Sequence, residues 1–594
     1  MLTVCLENSI VNNRYFVYNN ILMEKQHEDA APLINTERQS DAVQHSQRTQ
    51  KRESTHWADE TAAKIIREKG GSAQGVEKAL YTCASGITPS GTVHIGNFRE
   101  IISVELVVRA LRDMGKKVRF IYSWDDYDVF RKVPANMPKQ EELEKYLRFP
   151  ITMVPDPWGR DSSYARHHEA DVEAVLPLVG ICPEYLYQAE RYRSSVYAKG
   201  IRCALEHRET LKNILDKYRD EDHKIQGEWW PVSVFCSSCN KDETDISGWD
   251  GGWNLNYHCA CGHAETADLR KAKNVKLSWR VDWPMRWEYE KVDFEPAGKE
   301  HHSSGGSFDT AKHVCKEVYD WEAPVSFRYD FIGLKGTPGK MSSSKGKVVD
   351  LRDVLKVYTP ELVRYIFAGT RPNTEFTISF DLDVIKIYED YDKTERIAWK
   401  TEPAKNEEIF QRERRIYDLS QPELSSFGMT QMPAVKPYQA PFRHLCNLIQ
   451  IADGDIEKAI TALLSTTGGP RAEQLPRLRK RAECAKYWVD ECAPEDFRFR
   501  LKPAGAKVSS ELTAAEKKAV CGLRDKVIAN IEDYGDDKAC AEAIYKTAEE
   551  QGVEGKALFR AAYQALIGKD QGPRLANFLR SINKERLLGI LEKY

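Results

Sequence analysis

The chain has 594 residues, 41% hydrophobic and 30% charged, with a net charge of −3. That length exceeds what one hydrophobic core sustains and predicts roughly four domains. The apolar and aromatic content excludes a disordered or fibrous protein, and no apolar run reaches the ~20 residues that span a bilayer. A near-neutral chain can still hold nucleic acid, through local basic patches.

Residues 1–53 read as a flexible N-terminal extension: the first stretch has no signal-peptide core, and the segment after Glu24 is polar with little to bury. Order is expected from about Thr55, where Trp57, Ala58, Ile65 and Ile66 start a helical pattern. From Leu80 a short buried strand breaks at Gly86 and turns through Pro89, Ser90 and Gly91. A helix follows with Ile101, Val104, Val108 and Leu111 on one face and Gly115 as its stop. Val118, Phe120, Tyr122 and Trp124 then alternate as a strand does. Strand, glycine turn, helix and strand make one βαβ unit, whose first turn points backbone N–H groups from a helix N-terminus and suits phosphate. His94 adds a donor at the same helix start. Glycine spacing alone would fit an ordinary turn between core elements equally well. Asp125, Asp126 and Asp128 close the second strand at the sheet edge where ligands bind; they either draw substrate amines or cap a turn.

Cys236, Cys239, Cys259 and Cys261 pair into two knuckles and read as a zinc ribbon, with His263 or His258 able to replace one of the last pair. Four protein ligands leave no open position, so the Zn²⁺ is expected to be structural, stiffening a glycine-bearing insertion. The other cysteines read as reduced thiols. Asp156, Asp161, His167 and His168 also offer ligands, but at irregular spacing that chance readily supplies, and no second metal site is read from them. Val325–Ile332 is a β-like run. The segment GKMSSSKG at 339–346 then carries Lys340 and Lys345 on a Gly/Ser loop able to close over a triphosphate and offset charge as pyrophosphate leaves. Its bland reading is a solvated loop. Beyond Thr359 the pattern is helical: Thr359, Pro360 and Glu361 start one helix, and Thr513 with Glu516 forms a capping box. Arg471, Arg477, Arg479, Lys480, Arg481, Arg498, Arg500 and Lys502 lie near Phe497 and Phe499, which suits phosphates and splayed bases, or simply a solvated charged face.

His94-Ile95-Gly96-Asn97 resembles the His-Ile-Gly-His signature of class I aminoacyl-tRNA synthetases, with Asn97 at the fourth position. Residues 339–346 resemble the Lys-Met-Ser-Lys-Ser loop of that class, with Ser343 at the second lysine and Lys345 two residues later. Adding 84–100, 283–287, 294–301, 305–307 and the helical stretch 556–575, residues 55–594 resemble the class I, archaeal-type lysyl-tRNA synthetases. The resemblance implies an α/β fold: a doubly wound parallel (Rossmann-type) catalytic domain with a zinc-ribbon insertion and an all-α C-terminal anticodon-binding domain. The expected segments are catalytic halves at 54–181 and 273–346, the insertion at 182–272, a connecting region at 347–399 and the helical end at 400–594.

It further implies a cytoplasmic ligase, with no membrane partner and a monomer favoured, that uses ATP with Mg²⁺, L-lysine and tRNA(Lys). His94, Asn97, Lys340 and Lys345 are the implied catalytic residues. ATP would meet His94, Gly96, Asn97, Lys340, Ser342, Ser343 and Lys345, and the amino acid Gly86, Thr88, Trp279, His301 and Tyr329. Trp283 and Trp287 stand with Trp279 as candidate pocket walls or as core. Two rivals remain at this stage. A glutamate-specific class I ligase would use Arg280, Arg286 or Arg328 against the substrate carboxylate, and a catalytically silent tRNA-binding paralogue would explain Asn97 and Ser343.

Overall fold

The computed structural model describes residues 56–71, 78–337, 348–424, 428, 430–467 and 474–594; the expected extension at 1–53, the lysine-bearing loop and Arg471 lie outside the described residues. Helix α1 (Trp57–Lys69) begins where the apolar pattern does, and the His56 and Trp57 rings both donate to the Ala368 carbonyl, at 2.9 and 3.1 Å. Strand β1 (Tyr81–Ile87), helix α2 (Ile95–Asp113), strand β2 (Val118–Trp124), helix α3 (Tyr164–Val175) and strand β3 (Glu184–Tyr187) follow. β1 pairs in parallel with β2 from Tyr81↔Val118 to Ile87↔Trp124, and β2 with β3 from Ile121↔Glu184 to Trp124↔Tyr187.

The expected edge at 182 falls before β3, a strand of this sheet, so the insertion departs only after Tyr187. It carries β4 (Val232–Val234), β5 (Thr244–Trp249), β6 (Asn254–Cys259), β7 (Ala264–Asp268) and β8 (Val275–Leu277). β5, β6 and β7 form an antiparallel sheet. β4 pairs with β8 from Val232↔Leu277 to Val234↔Val275, a two-stranded stem that carries the far edge past the expected 272. Backbone pairing, not composition, sets both edges.

After helix α4 (Trp279–Glu290) the chain rejoins the sheet on the free edge of β1. Phe294 bridges Cys83 on one side and Val325 on the other, both in parallel. The pairing continues between β9 (Ala297–Gly298) and β10 (Arg328–Tyr329), with helix α5 (Ser307–Tyr319) as the crossover. The order is thus β3, β2, β1, the Phe294–β9 strand and the Val325–β10 strand, so the order reverses beside β1, as in a doubly wound sheet. β11 (Ile332–Leu334) pairs in parallel with β12 (Phe376–Ile378) beyond helix α6 (Pro360–Ala368). The run expected at 325–332 is therefore two short strands and an isolated bridge.

α2 is buried on nearly every side, Ser103, Glu105 and Arg109 included, and not only along the expected apolar face. Polar groups there need partners. Glu105 accepts from Arg109 on its own helix and from Arg364 Nη2 of α6 at 2.7 Å. Arg364 also donates to the Leu419 and Val179 carbonyls, each at 2.9 Å. Breaking a buried pair by removing one partner strands the other charge. Arg364→Met should therefore cost about 3 kcal/mol, read as a lower urea midpoint; an unchanged midpoint would show that Arg109 alone satisfies Glu105.

The apolar core that starts at Trp57 continues through the helices to Ala493, and a second core gathers Ile451 with residues from Phe499 to Leu591. The expected 400–594 segment is therefore two packing units. The capping box at Thr513 is present, with Glu516 N donating to Thr513 Oγ1 at 3.2 Å and Thr513 N to Glu516 at 2.9 Å. Among the described residues no helix is long and apolar enough to cross a membrane.

Candidate active site

A cavity of about 260 Å³ opens at the carboxyl end of β1, beside β9 and β10, where the strand order reverses. Eight residues expected at the site line it together: Gly86, Thr88, His94, Gly96, Asn97, Trp279, His301 and Tyr329. Gly86 is required by its neighbour, because a Cβ there would sit 2.8 Å from the Ser123 carbonyl oxygen. The helix start explains the first signature. His94 caps α2, its Nδ1 accepting from Asn97 N–H at 3.3 Å, while Asn97 Oδ1 accepts from His94 N–H at 3.2 Å. Nδ1 is thereby an acceptor, which leaves Nε2 to carry the proton of the neutral ring and donate. Gly96 leaves room for that ring, since a Cβ would lie 2.8 Å from His94 Cε1. Asn97, the departure from the signature, is the residue that closes this box.

The three tryptophans of α4 divide. Trp279 is 40% exposed and reaches the cavity, stacked at 15° on Trp283 with centroids 5.1 Å apart, while Trp283 and Trp287 are buried core. The acidic cluster divides too. Asp125 lines the cavity and pairs at 2.7 Å with Arg286, which also reaches Asp282 at 3.2 Å. Asp126 faces away, accepting from Ala189 N–H at 2.7 Å, and burial pushes it up to about 7. Asp128 accepts from Thr88 Oγ1 at 2.9 Å.

Glu100, absent from the expected set, sits at the centre. It accepts from Ser85 Oγ at 2.8 Å, from Gly86 N–H at 3.1 Å and from the Tyr329 hydroxyl. Burial raises it above the usual carboxylate range, against the pull of those donors. Behind it Glu295, held by Trp287 Nε1 at 2.6 Å, is pushed up to about 7 by burial and by Glu100 itself. The signal in the sequence was its place three residues past Asn97, on the same helix face. Glu300 adds a third carboxylate to the lining, and the residues that line the cavity include no arginine. Arg280 donates to the Gly305 carbonyl and Thr310 Oγ1, each at 3.1 Å, and Arg328 is exposed elsewhere.

Lys340, Ser342, Ser343 and Lys345 lie outside the described residues. Their flanks meet the site: Ile332 lines the cavity, and the Val349 carbonyl accepts from Ile95 N–H at 2.9 Å, at the start of α2.

In the insertion, the sulfurs of Cys236, Cys239, Cys259 and Cys261 all lie within 4.8 Å of one another, with Cys236–Cys261 at 3.7 Å and Cys239–Cys259 at 3.6 Å. A zinc–sulfur bond of ~2.3 Å gives a tetrahedron with edges of ~3.8 Å, so the set fits Zn²⁺. His263 is instead held by Ser237 Oγ at 2.9 Å, and exposed His258 lies 3.6 Å from Asp245; neither is needed as a substitute ligand. Asp156, Asp161 and His167, passed over for their spacing, also converge within 4.8 Å. A tight turn brings them together, in which Asp156 accepts from the N–H groups of Trp158, Arg160 and Asp161 at 3.1, 2.7 and 2.8 Å.

Two of the C-terminal arginines are structural. Arg477 pairs with Glu361 at 2.5 Å, Arg481 with Asp392 at 2.6 Å, and Phe499 is buried in the second core. Arg479, paired with Glu457 at 2.9 Å, and Arg500 are exposed.

Residues 55–423 match the family model described as tRNA synthetases class I (K). The chain is 56% identical to a protein of Treponema pallidum named lysine–tRNA ligase, over 91% of this chain and 99% of that one. Proteins of the same name from Borreliella burgdorferi and Pyrococcus horikoshii are 50% and 42% identical, over 91% and 89% of this chain and 99% and 98% of theirs. With a doubly wound sheet, a His94-capped helix at its switch point and relatives matched nearly end to end, this chain belongs to the class I lysine family of tRNA synthetases.

Proposed function

We propose that the chain is a lysine–tRNA ligase: it activates L-lysine with ATP to lysyl-adenylate and transfers the lysyl group to the 3′ end of tRNA(Lys). The observation that carries this is a cavity lined by Glu100, Asp125 and Glu300 but by no arginine, set against the His94-capped N-terminus of α2. Carboxylates attract the two ammonium groups of lysine and repel a glutamate side chain, which needs an arginine to bind it. Arg286, the arginine nearest, is already held by Asp125 and Asp282.

In this reading Glu100 takes one ammonium, with Tyr329 and Gly86 orienting its carboxylate, and Trp279 and His301 wall the substrate. The lysine carboxylate attacks the α-phosphorus of ATP, forming the adenylate as pyrophosphate leaves. A ribose hydroxyl of the terminal adenosine, the 2′-OH in class I chemistry, then attacks the activated carbonyl and AMP departs. His94 Nε2–H and the positive end of the α2 dipole face the phosphates, and Asn97 holds that helix start in register. Lys340 and Lys345, with Ser342 and Ser343 on the same loop, offset charge as it builds on the leaving pyrophosphate. Catalysis is positioning plus electrostatics, with Mg²⁺ arriving on ATP. Zn²⁺ on the four cysteines is structural, and the insertion receives the acceptor end. The C-terminal helices hold the anticodon. A cytoplasmic monomer is the expected form.

The silent-paralogue alternative loses one of its two supports, because Asn97 completes the cap rather than removing a donor; the other, Ser343, lies outside the described residues. The test is amino-acid-dependent ATP–pyrophosphate exchange across all twenty amino acids, with and without bulk tRNA. Exchange with lysine alone is expected. Exchange with glutamate would sink the substrate assignment, and silence from folded, zinc-loaded protein would favour a binding-only role.

A further inference from the structure

Thr88 lines the cavity from the loop after β1, and its hydroxyl proton is committed. Thr88 Oγ1 donates to Asp128 Oδ2 at 2.9 Å. The other oxygen of Asp128 accepts from Lys276 Nζ at 2.7 Å, and Lys276 donates again to the Tyr127 carbonyl at 3.2 Å. Lys276 is buried, on β8, so this second partner comes from the stem of the cysteine-bearing insertion and not from the central sheet. Burial opposes ionisation of Asp128, yet the Lys276 ammonium and the Thr88 hydroxyl hold it below the ordinary carboxylate range.

An ionised carboxylate can only accept hydrogen bonds. With Asp128 ionised, the hydrogen bond at 2.9 Å spends the single proton of Thr88 on it, and the lone pairs of Oγ1 are what the cavity meets. An ammonium group offers donors and no acceptor. We infer that Asp128, held by Lys276, is a positioning residue that fixes the polarity of Thr88, so that Thr88 Oγ1 receives an N–H of a lysine ammonium group. The inference rests on the reading of this cavity as the lysine site, and it reaches two residues that touch no substrate.

The arrangement makes an unusual substitution informative. Asparagine at 128 keeps the size of aspartate but has one acceptor and one donor end. Lys276 takes the amide oxygen, which turns the amide N–H₂ toward Thr88. Thr88 must then accept, and its own proton points into the cavity against the ammonium. The polarity of the site reverses without a change of shape.

The experiment measures steady-state aminoacylation by the full chain with tRNA, for wild type, Asp128→Asn, Thr88→Val, the double variant and Thr88→Ser. Asp128→Asn is expected to raise KM for lysine about tenfold, the scale of one charge-assisted hydrogen bond, with kcat and KM for ATP within about twofold. In the Thr88→Val background the same change should add less than about twofold, because its route to the substrate has been removed. Inhibition by the two lysine analogues with a hydroxyl in place of the 2-amino or the 6-amino group supplies a readout that a mere packing role would not move. Discrimination against one of them, and only one, should shrink about tenfold in Asp128→Asn, since a hydroxyl can accept the reversed Thr88 proton; that analogue identifies the amine concerned. Thr88→Ser keeps the hydroxyl and should stay within about threefold of wild type, which serves even if Asp128→Asn fails to fold. Equal effects of Asp128→Asn in both backgrounds, unchanged discrimination against both analogues, a parallel rise in KM for ATP, or a serine variant as impaired as the valine variant would each overturn the inference. Wild type inactive with lysine would overturn the lysine reading itself, and this with it; active wild type with additive variants would overturn the inference alone.

Discussion

Replacing Glu100 with glutamine should lower kcat/KM for lysine by two to three orders of magnitude and leave KM for ATP within about twofold. Glutamine preserves the shape of the side chain and can still accept from Ser85, Gly86 or Tyr329, so the sheet edge should hold. The loss is the charge opposite a desolvated ammonium, and stranding one member of such a pair costs about 3–5 kcal/mol. At ~1.4 kcal/mol per decade, the lower part of that span is the range stated. The pH dependence carries a second arm. Burial raises Glu100, so on acidification it is protonated before an ordinary carboxylate would be, and the neutral acid no longer attracts the ammonium. For wild type, kcat/KM for lysine should therefore fall toward acid with an inflection above the usual glutamate value of ~4.3, and the glutamine variant should lack that inflection. Loss of ATP affinity in step with lysine, or a retained inflection, would remove Glu100 from substrate recognition.

The second large effect is expected at the cysteine cluster. Cys239→Ser should lower bound zinc by one equivalent per chain and open the insertion to protease between β5 and β7. In the same variant kcat/KM for tRNA should fall at least about a hundredfold. Across β6 and β7 only Leu255, Tyr257, Cys259 and Ala267 are buried, too little apolar surface for a small sheet to stand alone. Structural zinc supplies an apparent ~10–16 kcal/mol in small domains of this kind. Wild type that holds no zinc, with Cys239→Ser equally protease-resistant, would show that the sulfurs gather for packing alone; full zinc content in Cys239→Ser would remove Cys239 from the ligand set.

What the sequence disclosed, and what it hid, follows from which interactions are local. The βαβ unit, the four-cysteine cluster and the Thr513 box are short-range patterns, and they stand where the periodicity and spacing put them. β3 escaped because it is four residues long with a single buried side chain, Leu186, and its place depends on β2 far upstream. Glu100 escaped because a glutamate on a helix is ordinarily solvated; only the return of Tyr329 to the same edge encloses it. Arg477 and Arg481 misled for the converse reason. An arginine among aromatics looks alike in sequence whether its anion is a phosphate or, as here, Glu361 and Asp392. The second lysine-bearing signature was legible as a motif, and its residues lie outside those described.

The way the central sheet is closed bears on how the chain is made. The edge of β1 beside the cavity is completed only by residues far downstream: Thr82 N–H donates to Asp293, 211 positions later, and Cys83 bridges Phe294. At a ribosomal rate of about 5–20 residues per second, those partners emerge roughly 10–40 s after β1 does. Through that interval an apolar strand waits with one edge unpaired, a ready template for the wrong neighbour. The insertion, whose stem closes between β4 and β8, can fold within that pause. Synthesis itself thus imposes an order of assembly: the cysteine-bearing insertion first, the cavity edge of the central sheet last.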